Sequence, residues 1–320
     1  MRYRPVGSSG LVVSAVGLGC NNFGWRIELE AARGVVDAAL AAGVTLFDTA
    51  DMYGGGGRSE AMLGELLAGR RDDVIVATKF GLPVGAEPNG ADWDARGSRR
   101  YIRRAVEASL RRLRTDRIDL YQYHMPDRIT PPAETLAALD ELVREGKVRY
   151  LGSSNFAAWQ VVEAEYLARV AGSNRFVSTQ NEYSLLERGA EAELVPACLG
   201  YGVGLLPYFP LGSGRLTGKY RRGAAMPVGA RLTDRSVSIS DDEHDRIEAL
   251  ERFAGERGLS LLDVAIGGLA AQPAVASVIA GATSAEQVRA NVAASGWQPS
   301  AADLAALDEV VPHRRPVPRF

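Results

Sequence analysis

"VTLFDTADMYGGGGRSE", residues Val44–Glu60, joins three local signals in one short stretch. Its first four residues are apolar or β-branched and predict a buried strand, which ends at an acidic residue, Asp48. Tyr53 follows five residues later, and four glycines then give the backbone freedom to turn. We predict that Ser59 caps the next helix and that Glu60 lies in its first turn. The stretch is therefore typical of a strand, a loop and a helix in succession.

The same alternation continues in both directions along the 320-residue chain. Most of the β-rich runs are apolar throughout, as is typical of strands that are covered on both faces. The segments between them carry apolar residues at helical spacing and acidic residues near their starts. The predicted strands are Ala15–Gly19, Val44–Asp48, Val74–Phe80, Ile118–His124, Val148–Ser153, Val177–Glu182, Val203–Tyr208 and Val275–Ala280. The predicted helices include Leu29–Ala42, Ser59–Arg70, Arg99–Arg114, Pro132–Glu145, Ala157–Ala171 and Gly189–Leu199.

Eight strands alternating with helices predict an α/β fold, a (β/α)8 TIM barrel in one domain that spans residues 1–320. The turn sequence "GSSG" before the first strand predicts an N-terminal β-hairpin. A doubly wound parallel sheet also alternates, but it would normally carry Gly-x-Gly-x-x-Gly, and Leu205 replaces the last glycine in "GYGVGL". "SGRLTGKY" fails as a phosphate-binding loop because Ser213 and Tyr220 replace required residues.

Two insertions predict long loops at the carboxyl face of the barrel. Leu211–Ser240 is rich in glycine and arginine and is too long for an ordinary connection, so we predict a functional lid. Gly85–Gly97 is a second polar insertion, and it carries Trp93.

Bulk composition excludes several classes of protein. A formal net charge of -2 and a pI of about 6.0 favour neither a nucleic-acid partner nor an anionic membrane. No stretch approaches the roughly 20 apolar residues of a membrane span. The two cysteines form no Cys-x-x-Cys motif, which favours a reducing, cytoplasmic location, and the three histidines lack metal-ligand spacing. "LVVSAVGLGC" resembles a short export signal, but its interruption by Ser14, Gly17 and Gly19 favours a hairpin and first strand.

Four polar side chains stand at or just beyond the ends of predicted strands, where barrels carry their chemistry: Asp48, Tyr53, Lys79 and His124. Each has a structural alternative, because the acid could cap a turn and the two rings could belong to the core. Lys79 is harder to explain structurally, since an apolar strand seldom holds an unpaired ammonium. Together, the four predict a catalytic cluster at one barrel mouth.

The chemistry of this set is proton transfer. A phenol has an ordinary pKa of about 10 and is a poor acid near neutrality. A nearby ammonium favours the phenolate, so we expect Lys79, held by Asp48, to lower the pKa of Tyr53 towards 7. A shift of about 3 units requires roughly 4 kcal/mol of differential stabilisation. Tyr53 would then serve as a general acid, and His124 would donate to the reacting carbonyl oxygen.

The chain resembles the aldo-keto reductase superfamily over essentially its whole length. The matching motifs are "VGSSGLVVSAVGLGC", "LFDTADMYGGGGRSEAMLGELL", "VIVATKFG", "IDLYQYHMPD", "ALDELVREGKVRYLGSSNF", "TQNEYSLL", "PYFPLGSGRLTGKY" and "VIAGATSAEQVRANV". The resemblance places the catalytic tetrad of the family on Asp48, Tyr53, Lys79 and His124. It implies hydride transfer from NADPH to an aldehyde or ketone, with Tyr53 supplying the proton.

The resemblance also implies a dinucleotide site. Ser154, Asn155 and Gln180 would bind the nicotinamide carboxamide, and Tyr208 would stack on the ring. Lys219 and the helix that follows "GATS" would hold the adenosine end. The full implied set is Gly19, Asn21, Asp48, Ser154, Asn155, Gln180, Tyr208, Pro210, Leu211, Gly212, Gly214, Lys219, Gly281, Thr283, Gln287 and Asn291.

Several residues depart from the pattern of the family. Phe209 replaces a frequent serine, Ala280 a frequent proline and Ala290 a frequent glutamate. Gln287 stands at the position of an arginine that contacts the 2′-phosphate in some branches, and Arg289 is the substitute candidate. These departures leave NADH possible beside NADPH.

The substrate is predicted to be a small-molecule aldehyde or ketone of medium size and partly polar character. The candidate contacts are Asn22, Phe23, Trp25, Trp93, Met125 and parts of Leu216–Arg235. Arg314, Arg315 and Arg319 either attract an acidic substrate or form a solvated basic tail. The oligomeric state, monomer or small homo-oligomer, stays open.

Two other functions compete with reduction. The start of the chain and "GSGRLTGKY" also resemble the potassium-channel β-subunits of the same superfamily, which implies an NADP-binding regulatory subunit with little turnover. A phosphate-substrate barrel enzyme such as an aldolase would instead use Lys79 as a Schiff-base amine.

Overall fold

The fold is taken from a computed structural model that describes residues 1–85, 93–234 and 236–312. Its strands are β1 Tyr3–Pro5, β2 Val12–Ser14, β3 Val16–Gly19, β4 Leu46–Asp48, β5 Ile75–Phe80, β6 Ile118–Tyr123, β7 Val148–Ser154, β8 Phe176–Gln180, β9 Gly204–Leu205 and β10 Val278–Gly281. Its helices are α1 Leu29–Ala41, α2 Tyr53–Gly56, α3 Arg58–Leu66, α4 Arg99–Leu113, α5 Pro132–Arg144, α6 Ala158–Ala171, α7 Leu194–Tyr201, α8 Arg231–Asp234, α9 Asp241–Gly255, α10 Leu261–Ala270, α11 Ala285–Ala294 and α12 Ala301–Val310. Short 3₁₀ turns cover Arg71–Asp73, Gly189–Glu191 and Gly212–Thr217.

Eight parallel strands form one sheet in the order β10, β3, β4, β5, β6, β7, β8, β9. The two outer strands approach each other through a parallel bridge between Leu205 and Val275. The Leu205 amide donates to Ala274 O at 2.8 Å, and the Ala276 amide donates to Leu205 O at 2.9 Å. These bonds join the ends of the sheet, and the predicted (β/α)8 TIM barrel is confirmed.

The predicted N-terminal β-hairpin is also confirmed. β1 and β2 pair antiparallel, and the Val6 amide donates to Leu11 O at 2.8 Å across the turn. Val6, Leu11 and Val13 are buried in one cluster with apolar side chains of the barrel interior, including Leu46 and Leu120. The hairpin therefore fills the amino end of the barrel with apolar side chains.

The predicted start of the helix after β4 is wrong. Gly57 precedes α3 with φ 88°, and a Cβ there would lie 2.3 Å from Arg112 Nε, so the entry to the helix requires glycine. Ser59 lies inside the first turn and is not a cap. Its hydroxyl donates to Cys20 O at 2.8 Å and lies 2.8 Å from Thr49 Oγ1. Ser59 therefore fastens α3 to the barrel.

The long segment after β9, Leu211–Ser240, folds back on the barrel. Arg26, in the loop after β3, lies 2.8 Å from Asp234 of α8 and donates to Gly229 O. Arg222 ties the other side of the segment to three acidic residues of α9, Asp241, Asp245 and Glu248. Both sides of the segment are thus held by ion pairs. Every helix in the described ranges is too short or too polar to span a membrane.

Candidate active site

The four predicted catalytic residues meet at the carboxyl end of the barrel. Lys79 Nζ donates to Asp48 Oδ2 at 2.6 Å, to Thr49 O at 2.8 Å and to the Tyr53 hydroxyl at 3.3 Å. The Tyr53 and His124 rings meet edge to face, with their centroids 5.9 Å apart. The structure therefore brings these side chains together in one cluster.

A glycine-rich turn positions Tyr53. The Tyr53 amide donates to Ala50 O at 3.1 Å, and the Asp51 amide donates to Lys79 O at 3.0 Å, so the turn is bonded to the strand that carries the lysine. Gly54 has φ 72°, and a Cβ there would lie 2.8 Å from Phe23 O. A side chain at position 54 would thus push the turn, and the phenol with it, out of place.

Asp48 and Lys79 form a buried ion pair. Lys79 is 0% exposed and Asp48 is 2% exposed. Burial alone would lower the pKa of the Lys79 ammonium, but Asp48 and Tyr53 together raise that pKa above its ordinary value. Asp48 Oδ1 also accepts from the side-chain amides of Gln180 at 2.8 Å and Gln122 at 3.1 Å. The carboxylate thus has hydrogen bonds to replace the water it has lost, and the lysine stays charged.

The predicted pKa shift of Tyr53 is wrong in direction. Burial raises the pKa of the phenol by more than Lys79 lowers it, so the pKa lies above its ordinary value. Tyr53 is therefore a neutral phenol at physiological pH, which is the proton-carrying form. The Lys79 ammonium still limits this rise in the pKa of Tyr53, because its charge favours the phenolate.

His124 is neutral. Burial, followed by the charge of Lys79, holds the pKa of its imidazole well below the ordinary value. Its Nδ1 is buried without a hydrogen-bond partner among the described residues. A neutral imidazole carries one N–H and one acceptor nitrogen, so His124 can offer a hydrogen bond without adding charge to the site.

A cavity of about 910 Å³ opens beside this cluster. It is lined by Asp48, Tyr53 and His124 at one end and reaches Gln287 and Asn291 on α11. Of the predicted dinucleotide contacts, Gly212 is outside the lining. The others line the cavity: Gly19, Asn21, Asp48, Ser154, Asn155, Gln180, Tyr208, Pro210, Leu211, Gly214, Lys219, Gly281, Thr283, Gln287 and Asn291.

Asn155 links several walls of this cavity. Its φ is 59°, a left-handed conformation that asparagine tolerates better than most residues. Its Nδ2 donates to His124 O at 2.9 Å, and its Oδ1 accepts from the Tyr208 hydroxyl at 2.8 Å. Ser154 Oγ donates to Gln180 O at 2.8 Å. The polar groups predicted to bind a carboxamide are therefore held in a bonded cluster next to the catalytic residues.

Three cations line the cavity on the side of the long segment: Arg26, Lys219 and Arg231. Burial, together with the charges of Arg26 and Arg231, lowers the pKa of Lys219. Arg231 Nη2 donates to Asn22 Oδ1 at 2.9 Å, and its guanidinium lies 5.7 Å from the Phe209 ring centroid. Such a group of like charges favours an anionic ligand.

The predicted substitute Arg289 lies outside the cavity lining. Its side chain is 64% exposed and lies 3.6 Å from Glu286. Arg26 was not predicted as a cavity cation, because nothing distinguishes it from the many other arginines of the chain. Gln122 was not predicted either, although a glutamine two residues before His124 in an apolar strand was a usable signal.

The predicted substrate contacts divide into two groups. Asn22 and Trp25 line the cavity. Phe23 does not, because it is 0% exposed within the hydrophobic core. Trp93 is 71% exposed beneath the Arg100 guanidinium, and Met125 is 44% exposed; neither lines the cavity. Arg235, Arg314, Arg315 and Arg319 lie outside the described residues.

Comparison with known proteins gives sequence matches over most of the chain. The sequence model of the aldo/keto reductase family matches residues 15–312. "Uncharacterized oxidoreductase YrpG" of Bacillus subtilis (strain 168) is 38% identical over 98% of this chain and 96% of its own length. "Probable voltage-gated potassium channel subunit beta" of Oryza sativa subsp. japonica is 36% identical over 92% and 91%. "Versiconal hemiacetal acetate reductase" of Aspergillus parasiticus is 36% identical over 83% and 84%.

Proposed function

The chain belongs to the aldo/keto reductase family, and we propose that it reduces an aldehyde or ketone to an alcohol by hydride transfer from NADPH. Members of this family are oxidoreductases that act on small carbonyl compounds and generally use a nicotinamide cofactor. The observation that carries the proposal is the placement of the Tyr53 hydroxyl 3.3 Å from Lys79 Nζ, at the wall of a 910 Å³ cavity.

The residues present fit a dinucleotide. The buried Nδ1 of His124 has no partner among the described residues, and the cavity continues from this ring to the start of α11. Ser284 caps that helix by accepting from the Gln287 amide, and a helix N-terminus favours phosphate. Asn155, Gln180 and Tyr208 would hold the nicotinamide end, and Lys219 and Arg231 would hold phosphate groups. The three lining cations support a phosphate-bearing dinucleotide, which both NADPH and NADH are.

The bound cofactor supplies the hydride, and the chain supplies the proton. The Tyr53 hydroxyl donates its proton to the carbonyl oxygen of the substrate, and the Lys79 ammonium stabilises the phenolate that remains. Asp48 holds that ammonium in place through the 2.6 Å contact, so its charge points at the phenol. His124 offers a neutral N–H to the same carbonyl oxygen and orients it. Tyr53 then recovers a proton from water.

The elevated pKa of Lys79 argues against an aldolase. A Schiff base forms from a neutral amine, whereas the Lys79 ammonium is buried beside Asp48 and keeps its proton.

Cys20 and Cys198 are buried free thiols, which supports the reducing cytoplasm as the location of the reaction.

Oxidation of NADPH, followed by its absorbance with nitrobenzaldehyde as substrate, tests the proposal. We expect turnover in the wild type and a loss of at least about 100-fold in kcat with Tyr53→Phe, since the proton donor is gone. Tyr150→Phe removes the same atom outside the cavity lining and should leave kcat unchanged. Turnover of Tyr53→Phe within a factor of about two of wild type would refute the assigned role. Parallel assays with NADH measure the cofactor preference.

A regulatory subunit is the second candidate, because two relatives with the potassium channel subunit name are 36% and 34% identical to this chain. Such a protein would bind NADPH tightly, turn over very slowly and copurify with a membrane partner. Rapid turnover across a panel of aldehydes, together with a pull-down that recovers no channel, would exclude it.

A further inference from the structure

An apolar face on the outside of the barrel is remote from the cavity. α6 packs beside α7, and together they expose Trp159, Tyr166, Val170 and Leu199, which we name the α6–α7 face. These side chains are 63%, 52%, 89% and 53% exposed, respectively. Positions 159, 166 and 170 fall on one side of a helix, so the exposed groups form a patch. Contiguous apolar patches of this kind mark interaction sites.

The composition of the face is that of an interface core. The Tyr166 ring meets the Tyr201 ring edge to face at 5.9 Å. The Arg169 guanidinium lies 6.0 and 5.8 Å from the two ring centroids. Tyrosine, tryptophan and arginine are the residues most enriched where protein surfaces bind each other. Because the rings and the guanidinium already contact one another, little side-chain freedom remains to be lost on association.

The charges on the α6–α7 face are complementary to those on the same face of a second copy. Glu163 is exposed between Trp159 and Tyr166, and no ion pair is found for it within the described ranges. Arg169 is three residues beyond Tyr166, as Glu163 is three residues before it. In two antiparallel copies of α6 that cross at Tyr166, Glu163 of each copy faces Arg169 of the other. The same arrangement places Val162 opposite Val170. A two-fold axis through Tyr166 therefore pairs acid with base and apolar with apolar.

We propose that the α6–α7 face is an isologous interface through which two copies of this chain form a homodimer. A lipid surface is a poorer occupant, because Glu163 lies within the patch and would lose its water without gaining a partner. Arg169 already contacts Glu165 at 2.7 Å, so the second copy's Glu163 completes a charge network. The proposal does not depend on the proposed reaction, since no residue of the face lines the cavity.

Sedimentation equilibrium of the full chain tests the proposal through charge reversal. The wild type should dimerise, and Glu163→Arg or Arg169→Glu alone should weaken dimerisation by at least about tenfold, because each places like charges opposite each other twice. An equal mixture of the two single variants should restore dimers, because every contact across the axis is again between opposite charges. Tyr166→Glu places two carboxylates against each other at the axis and should also give monomers.

Ile129→Glu provides the matched control, since Ile129 is 60% exposed and lies outside the face. It should dimerise like the wild type. Circular dichroism checks that each variant is folded. Arg169→Glu also places a second acid beside Glu165 of the same chain. If that variant does not fold, Glu163→Arg and Tyr166→Glu still test the face. A wild type that stays monomeric up to about 1 mM overturns the proposal, as do reversal variants that dimerise normally or a mixture that stays monomeric.

Discussion

The buried ion pair between Lys79 and Asp48 makes a quantitative prediction. Asp48→Asn removes the negative charge and one of two oxygens that accept from three donors, on Lys79, Gln122 and Gln180. Both members of the pair are almost fully buried, so the ammonium cannot recover its hydration. Removing one partner of a buried pair costs about 3–5 kcal/mol of stability.

This loss converts to a shift in melting temperature. An unfolding entropy of about 2.1 cal/mol/K per residue gives roughly 0.7 kcal/mol/K for a chain of this length. We therefore expect Asp48→Asn to lower Tm by about 4–7 °C in scanning calorimetry. Asp48→Asn combined with Lys79→Met removes both charges of the pair and should recover at least about half of that loss.

The pH dependence of stability should reverse sign in the single variant. In the wild type, the pKa of Lys79 is raised by folding, so its contribution is complete below the ordinary value of 10.5 and is lost as the pH rises through the folded pKa. Without Asp48, burial lowers the folded pKa, the unfolded chain binds more protons, and Tm should rise with pH towards 10.5. The double variant should lack this rise. Two results would refute the reasoning: a Tm of Asp48→Asn within about 1 °C of the wild type, or equal Tm values for Asp48→Asn and the double variant.

Three further predictions follow from single side chains. The pKa of His124 is depressed by folding, so stability should fall as the pH drops below the ordinary value of 6.5, and His124→Gln should flatten the dependence of Tm on pH between 6.5 and 5. Arg114 directly follows α4 with φ 52°, a left-handed conformation that favours glycine, so Arg114→Gly should raise stability by about 0.5–1 kcal/mol in urea titrations, whereas Arg114→Ala should not. Glu60 is fully buried and accepts from Thr78 Oγ1 and Arg112 Nε, both at 2.6 Å. Glu60→Gln should therefore cost about 3 kcal/mol by the same titration, and an unchanged midpoint would show that the charge is not needed.

The strands of the barrel were predictable because both faces of each strand are covered. Most of the predicted runs agree with the structure within one or two residues. Within the predicted strand Val203–Tyr208, continuous pairing covers only Gly204–Leu205, because Pro207 has no amide to donate to the next strand. Tyr208 keeps an isolated bridge to Glu182. The predicted helix Gly189–Leu199 separates into a 3₁₀ turn and α7, since Pro196 is tolerated only in a first helical turn.

The candidate site was predictable where polar residues interrupt apolar strands. Lys79 stood out for this reason, and the structure places it with His124 beside Asp48 and Tyr53. The direction of the pKa shift of Tyr53 was not predictable, because it depends on how completely the turn buries the phenol. Phe23 was wrongly assigned to the substrate, since the sequence does not show which way a loop side chain points.

The N-terminal hairpin has a kinetic consequence. Its apolar side chains fill one end of the barrel, so a ligand that enters the cavity approaches the catalytic cluster from the carboxyl end. When two ligands enter a cavity from one end, the ligand that binds deeper must bind first and leave last. Turnover can then be limited by release of the more deeply bound ligand, even when the chemical step is fast.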